Sequence, residues 1–309
     1  MSNTINAAVA TPLGVAASSA KEQEFNGEIK DYFALLNPRV MSLVVFTGLV
    51  GLLLAPGAIH PIAAIAAVFC IALGSGASGA INMWYERDID SKMKRTKNRP
   101  IPAGRVCPDS ALEFSIICAF ASVFIMAFVV NYVAAVVLLS AILFYVFVYT
   151  IWLKPRTPQN IVIGGAAGAF PPMIGWAAVT GGISLESIIL FSVIFVWTPP
   201  HFWALALYKS DDYAKAGIPM LPVVKGGKNT RLQILLYTLL LLPITLAPYF
   251  IGMLNEVYLV GAVALGAIFL SFAFKVYRED VNEFKNARKL FFFSILYLFA
   301  LFTLMLVAT

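Results

Sequence analysis

Long apolar segments dominate the hydropathy pattern of the chain, and short polar segments between them carry nearly all the ionisable side chains. Each apolar segment is close to the roughly 20 residues that an α-helix needs to cross a bilayer. The pattern predicts nine transmembrane helices, over residues 41–57, 61–83, 111–129, 132–153, 161–180, 186–207, 232–251, 257–274 and 289–308. Because the number is odd, the two termini are expected on opposite sides of the membrane.

Composition agrees with this pattern. Of the 309 residues, 60% are hydrophobic and only 12% are charged, which excludes an ordinary soluble globular protein. We therefore predict an all-α polytopic membrane protein in which residues 36–309 form a single nine-helix transmembrane domain. Residues 1–35 are rich in small and polar side chains, and we predict that they form a disordered cytoplasmic tail.

The distribution of positive charge predicts the orientation. All 22 Lys and Arg residues fall in the amino-terminal tail or in the segments that follow the second, fourth, sixth and eighth spans. Cytoplasmic loops are enriched in Lys and Arg, so we expect a cytoplasmic amino terminus and a carboxyl terminus on the outer side. The same rule accounts for the net charge of +6 without a nucleic-acid partner. We expect the protein in a bacterial inner (plasma) membrane.

Three polar residues with a regular spacing mark the end of the second span. Asn82, Glu86 and Asp90 are four residues apart, which places them on one stripe of a continuing helix. Oxygen ligands on one stripe suit Mg²⁺, which typically binds one or two carboxylates together with substrate phosphates. A solvated helix end with ordinary charges would show the same spacing, so the spacing alone leaves both interpretations open.

The segment after this stripe is strongly basic. Within nine residues of Asp90 it contains Lys92, Lys94, Arg95, Lys97 and Arg99. Carboxylates that hold a metal, next to cations that hold phosphate oxygens, are what a diphosphate leaving group requires. The rule for cytoplasmic loops explains the basic residues, but it does not explain why they adjoin an acidic stripe.

A second acidic segment follows the sixth span, at Asp211 and Asp212. The second and sixth spans run in the same direction, so both acidic segments emerge on the same face of the membrane. Their recurrence four helices apart suggests an internal duplication, in which two halves of the bundle face a central cavity open to the cytoplasmic side. His201 lies inside the sixth span, where an ionisable side chain is a functional candidate. Its structural alternative is a hydrogen bond to a carbonyl freed by Pro199 and Pro200.

Two stretches of the sequence resemble a known family. The stripe of Asn82, Glu86 and Asp90, followed by Arg-Thr-Lys-Asn-Arg-Pro at 95–100, is similar to the first aspartate-rich motif of the UbiA-type intramembrane prenyltransferases, in the form found in their haem-modifying branch. The runs at 198–205 and 211–222 resemble the second motif of the same branch. In one respect the chain departs from the wider superfamily, because Tyr208 stands where a second aspartate usually lies, four residues before Asp212.

This resemblance implies an activity, a cofactor and partners. It implies transfer of a farnesyl group from farnesyl diphosphate to a vinyl group of haem B, which yields haem O and diphosphate, with Mg²⁺ as the cofactor. It also implies an environment of membrane lipid and an association with haem A synthase.

The resemblance further implies roles for individual residues. The implied catalytic residues are Asn82, Glu86, Asp90 and Asp212, and the implied metal ligands are these four and Asp211. The implied diphosphate contacts are Lys94, Arg95, Lys97, Arg99, Lys154, Arg156 and Lys209. With haem as the acceptor, the depth of His201 in its span makes it a candidate to ligate or orient the haem iron, beside the structural alternative given above.

Two other functions fit parts of the pattern. A sister prenyltransferase acting on an aromatic quinone precursor or on chlorophyllide would differ only in its acceptor, and only the haem-branch form of the two motifs speaks against it. A secondary transporter would share the helix number, the duplication and the proline-interrupted spans. Its ionisable residues would be expected near the midplane, whereas Glu86 and Asp90 lie at the cytoplasmic end of their span.

Overall fold

The computed structural model describes residues 27–280 and 282–309, and within these ranges the chain forms helices and turns but no β-strand. Residues 1–26 of the predicted tail lie outside the described residues. The helices are α1 (Ile29–Leu35), α2 (Pro38–Leu54), α3 (Pro61–Tyr85), α4 (Arg87–Lys92), α5 (Pro108–Val130), α6 (Tyr132–Leu153), α7 (Asn160–Thr180), α8 (Leu185–Tyr208), α9 (Ser210–Lys215), α10 (Leu221–Phe250), α11 (Glu256–Arg278) and α12 (Lys285–Val307).

The predicted all-α membrane fold is confirmed. In the described part of the chain, eight helices are long and apolar enough to span a membrane, and α1 with α2 forms a ninth candidate that is bent by 55°. The nine candidates coincide with the nine apolar segments of the sequence to within a few residues at most ends. The largest differences are at the first candidate, which begins at Ile29, and at α10, which begins at Leu221 and has a break in its helical geometry at Gly226.

Helix α1 occupies residues that we predicted as part of the disordered tail. Leu35 is fully buried in a cluster with Ala80 and Val106, so this end of the segment is anchored by apolar packing. Asp31 accepts a hydrogen bond from Nε of Arg105 at 2.7 Å, which joins α1 to the loop before α5. The ordered structure therefore begins before residue 36.

Glycines allow α2 and α7 to approach each other very closely. A Cβ atom at Gly51 would overlap the backbone of Pro172, and one at Gly175 would overlap the backbone of Gly48. Helix α7 is also the most deeply buried of the spans. Helix α2 is the first span of the chain and α7 is the fifth. In the predicted duplication, these two helices occupy equivalent positions in the two halves, so the halves contact each other here.

Two six-residue helices follow the long helices that carry the acidic segments. Helix α4 comes directly after α3 and contains Asp90, and α9 comes directly after α8 and contains Asp212. Helix α6 ends in a π-helical stretch, Phe144–Leu153. Such wider turns occur frequently at functional sites, and this one ends immediately before Lys154.

Candidate functional site

The predicted stripe of polar residues is preserved across the junction of α3 and α4. The backbone leaves regular helical geometry at Glu86, yet its N–H bonds the carbonyl of Asn82 at 2.9 Å and the N–H of Asp90 bonds the carbonyl of Glu86 at 2.8 Å. Asn82, Glu86 and Asp90 are only 6%, 4% and 2% exposed, whereas Asp88 between them is exposed. The three side chains therefore share one buried face, and the interpretation as a solvated helix end is wrong.

Each buried carboxylate is paired with a cation. Nζ of Lys154 lies 2.5 Å from Oε2 of Glu86, and Nη1 of Arg99 lies 2.6 Å from Oδ2 of Asp90. These distances are typical of strong, charge-assisted hydrogen bonds. Because an isolated carboxylate is costly to bury, the two cations make this acidic face compatible with its burial.

The π-helical end of α6 supplies the other wall of the site. Asn82 donates from Nδ2 to Oγ1 of Thr150 at 3.1 Å, and Nζ of Lys154 lies 5.7 Å from the centre of the Tyr149 ring. Thr150 and Lys154, at and just after the end of α6, thus contact the stripe, and Tyr149 packs against Lys154. Thr150 and Tyr149 were missed by the sequence analysis, because a Thr and a Tyr inside an apolar span carry no pattern that distinguishes them from packing residues.

The basic loop after α4 is anchored at its centre and exposed at its flanks. Thr96 is fully buried, and its hydroxyl donates to the backbone carbonyl of Asp90 at 3.0 Å. Arg99 contacts the stripe directly. The remaining predicted diphosphate contacts in this loop are exposed, and they are Lys94, Arg95 and Lys97. The loop therefore places three solvent-exposed cations beside a buried acidic face.

The other predicted cations occupy two different environments. Arg156 is exposed, and its Nη1 donates to the carbonyls of Ile151 and Trp152 at 2.9 and 3.1 Å, so it caps the end of α6. Lys209 is partly exposed and lies 3.9 Å from Oδ2 of Asp212. Neither has a recorded contact with the stripe on α3.

The second acidic segment is more open than the first. Asp211 is exposed and Asp212 is partly buried. Among the residues that the structure describes, no three His, Cys, Asp or Glu side chains converge into a group able to hold a metal ion by themselves. A preformed metal cage built by both halves is therefore not a feature of the described chain.

The first half nevertheless has a donor set that fits Mg²⁺. Glu86, Asp90 and Asn82 offer hard oxygen atoms on one face, and the recorded ion pairs use only Oε2 and Oδ2 of the two carboxylates. Mg²⁺ commonly takes one or two carboxylates and completes its shell with water and substrate phosphates. The chemistry of the stripe thus suits a metal that arrives together with a diphosphate.

His201 is enclosed by aromatic rings between α8 and α12. Its Nδ1 lies 2.6 Å from Oγ of Ser294, and its ring stacks on those of Trp197 and Phe291 with centroid distances of 4.4 and 4.8 Å. The recorded partner is a hydroxyl on a neighbouring helix, rather than a carbonyl freed by the prolines of its own helix. Ser294 also accepts a bond at its carbonyl from Nε1 of Trp197, at 2.9 Å.

The sequence is similar to that of known prenyltransferases. Residues 44–296 match the model of the UbiA prenyltransferase family. The chain is 59% identical over 283 residues to the protoheme IX farnesyltransferase of Parvibaculum lavamentivorans, covering 91% of this chain and 89% of that protein. It is 60% identical over 274 residues to the protoheme IX farnesyltransferase of Beijerinckia indica subsp. indica, covering 88% and 85%.

Solved structures share the fold. A digeranylgeranylglyceryl phosphate synthase superposes with a TM-score of 0.76 at 19% identity, covering 90% of this chain and 97% of that one. A UbiA homolog from Archaeoglobus fulgidus, bound to GPP and Mg²⁺, superposes with a TM-score of 0.64 at 16% identity, covering 89% and 99%. At sequence identities below 20%, these superpositions show that the fold is shared and nothing about function.

Proposed function

Because the chain belongs to the UbiA prenyltransferase family, we propose that it transfers the farnesyl group of farnesyl diphosphate to a vinyl group of haem B, giving haem O and diphosphate. One observation carries this proposal: the chain is 59% identical, over 91% of its length, to a protoheme IX farnesyltransferase. The protein is a transferase with several membrane spans, and its substrates are a prenyl diphosphate and a haem.

The stripe at the junction of α3 and α4 is our candidate for the diphosphate end of the site. We propose that Asn82, Glu86 and Asp90 hold Mg²⁺, and that Asp211 and Asp212 contribute from the opposite half. The metal would neutralise negative charge that develops on the diphosphate as the allylic C–O bond breaks. A neighbouring structure bound to GPP and Mg²⁺ supports a metal in proteins of this fold.

Cations of the chain complete this site. Lys154 and Arg99 neutralise the two buried carboxylates and lie directly against the stripe. We propose that they exchange part of this pairing for contacts to the diphosphate when the substrate binds. The remaining proposed contacts come from exposed or partly exposed cations, and they are Lys94, Arg95, Lys97, Arg156 and Lys209.

We propose that open space beside glycines of α3 and α7 holds the apolar part of the substrates. Gly79 lies three residues before Asn82, and a Cβ atom there would have no neighbour within 4 Å. The same is true of Gly168 in the middle of α7. These two positions support the proposed central cavity, open to the cytoplasmic side, in which a farnesyl chain would extend from the stripe toward the membrane interior.

The carbon chemistry follows from this arrangement. The electron pair of the broken C–O bond leaves with diphosphate, and the vinyl carbon of haem B supplies the pair for the new C–C bond. Water then adds to the cationic carbon next to the porphyrin and loses a proton, which leaves a hydroxyl group. The site must therefore exclude water from the allylic carbon and admit it at the porphyrin side.

The location and a partner are also part of the proposal. We propose an inner (plasma) membrane location with a cytoplasmic amino terminus and an outer carboxyl terminus, because every Lys and Arg lies on one side of the predicted spans. We further propose that the apolar product passes to an associated haem A synthase, which co-purification from mildly solubilised membranes would test.

A direct experiment tests the activity. Purified protein is incubated with haem B, farnesyl diphosphate and Mg²⁺, and the products are analysed by mass spectrometry for haem O. The matched control is Glu86→Gln, which keeps the size of the side chain and removes its charge; a second control replaces Mg²⁺ with EDTA. Parallel reactions offer an aromatic quinone precursor or chlorophyllide as acceptor. Prenylation of one of these, with haem B left unchanged, would contradict the proposal.

A further inference from the structure

A groove on the cytoplasmic side of the bundle is separate from the acidic stripe. It has a volume of about 540 Å³ and lies between the end of α8 and the beginning of α12. Its size is within the range of ligand-binding pockets, about 300–1,000 Å³. The residues that line this groove are Tyr208, Phe284, Lys285, Arg288, Lys289 and Phe292. It therefore combines three aromatic rings with three cations.

The three cations of the groove lie in an unfavourable position. They occupy the first turns of α12, whose first turn has no acidic residue. Lys285 lies three residues from Arg288 and four from Lys289, so the three like charges share one face of the helix, which is destabilising. In residues 27–280 and 282–309, the recorded ion pairs include none of the three. An anion bound in the groove would relieve this repulsion.

The backbone at the start of α12 does not supply the anion site. Glu279 accepts hydrogen bonds from the N–H groups of Asn286 and Ala287 at 2.6 and 3.3 Å. Its carboxylate also lies 4.0 Å from Nη2 of the buried Arg231. Because these backbone donors are already used, an anion in the groove would be held by the Lys and Arg side chains.

The groove adjoins the proposed active site through Tyr208. This residue precedes Asp212 by four positions, and its ring lies 6.1 Å from that of Phe291, which in turn stacks on His201. Tyr208 thus lines the groove and lies about one helical turn before the second acidic segment.

We propose that this groove binds the propionate edge of haem B, with Arg288 and its neighbouring lysines pairing with the two carboxylates. This inference rests on the proposed function. A guanidinium forms planar, bidentate contacts with a carboxylate, and aromatic side chains pack favourably against a flat macrocycle. Haem B carries its propionates and its vinyl groups on opposite edges. Propionates at Arg288 therefore keep the charged edge at the aqueous surface and turn the vinyl edge away from it, toward the interior of the bundle.

The test compares haem binding with diphosphate binding. Haem B is titrated into the purified full-length protein and into Arg288→Gln, and affinity is read from the haem absorption spectrum. The matched control is Arg278→Gln, since Arg278 is an exposed cation at the end of α11 that stacks on Phe274 and does not line the groove. We expect the Kd for haem B to rise about tenfold in Arg288→Gln and to stay unchanged in the control.

A modified ligand and a second ligand identify what the groove recognises. The dimethyl ester of haem B, which lacks both charges, should bind the wild-type protein more weakly than haem B and should not distinguish it from Arg288→Gln. The affinity for a non-hydrolysable farnesyl diphosphate analogue should be the same in both proteins.

Three results would overturn this assignment. Equal haem affinity in Arg288→Gln and wild type, in a protein that does form haem O, would remove the groove from haem binding. Loss of affinity for the diphosphate analogue alone would assign the groove to the prenyl substrate. An effect of the substitution seen only with phosphatidylglycerol vesicles would assign it to lipid headgroups. Failure of the wild-type protein to form haem O would instead refute the proposed function, so the two failures are distinguishable.

Discussion

Replacement of Lys154 by Met tests whether the pairing of Glu86 is what permits this carboxylate to be buried. Met keeps most of the length of the side chain but removes its charge. The Glu86 side chain is 5% exposed and would lose the cation that now lies 2.5 Å away. Removing one partner of a buried ion pair typically costs about 3–5 kcal/mol. Because the Lys154 side chain is itself 17% exposed, we expect the lower end, about 3 kcal/mol.

The assay is a double-mutant cycle. The free energy of unfolding is measured by far-UV circular dichroism in mixed micelles of rising SDS content, for wild type, Lys154→Met, Glu86→Gln and the double variant. We expect the double variant to be more stable than Lys154→Met, with a coupling energy of about 1.5–3 kcal/mol. Mg²⁺ should also stabilise Lys154→Met more than wild type, because the unpaired carboxylate gains a new counter-charge.

The control for this cycle is Arg156→Met, which removes an exposed cation two residues further along the chain. This substitution should lower the free energy of unfolding by about 1 kcal/mol or less, since it removes only hydrogen bonds to the last carbonyls of α6. Two results would show that the ion pair of Glu86 and Lys154 does not stabilise the site. One is a coupling energy below about 0.5 kcal/mol, and the other is an equal loss of unfolding free energy in Lys154→Met and Arg156→Met.

Three further predictions follow from other parts of the structure. Asp90→Asn and Asp212→Asn should each lower turnover by about a hundredfold or more while the protein remains folded; near-normal haem O formation in either variant would remove that residue from the proposed metal ligands. His201→Ala should lower the free energy of unfolding by about 1–3 kcal/mol, because the hydrogen bond to Ser294 and the stacking of the ring between Trp197 and Phe291 are lost; a changed spectrum of bound haem would show a direct role in haem binding instead. Gly51→Ala should cost about 1–3 kcal/mol in the same unfolding assay, because its Cβ overlaps the Pro172 backbone, whereas Gly79→Ala, with open space around it, should not lower stability.

The spans and the polar stripe were predictable because both depend on local geometry. A helix must be about 20 apolar residues long to cross a bilayer, so composition within a segment is sufficient to locate it. The spacing of Asn82, Glu86 and Asp90 needs only the helical repeat, which continues through hydrogen bonds across the break at Glu86. The start of the ordered domain was misplaced because the burial of Leu35 depends on contacts with residues much later in the chain.

The partners within the site were not predictable from local patterns. Lys154 is 68 residues from Glu86, and Ser294 is 93 residues from His201. The abundance of cytoplasmic Lys and Arg is already explained by membrane insertion, so charge alone could not separate Lys154, which pairs with the stripe, from Arg156, which caps its own helix. The roles of Asp211 and Asp212 stay predictions.

The close contact between α2 and α7 limits the routes by which an apolar substrate can enter the bundle. At Gly51 and Gly175 the two backbones are so near that even a methyl group would not fit between them. An isoprenoid chain or a porphyrin is much thicker than a methyl group, so neither can slip in from the lipid through this seam. Lateral entry must therefore use a gap between other helices, and the seam acts as a closed wall of the substrate path.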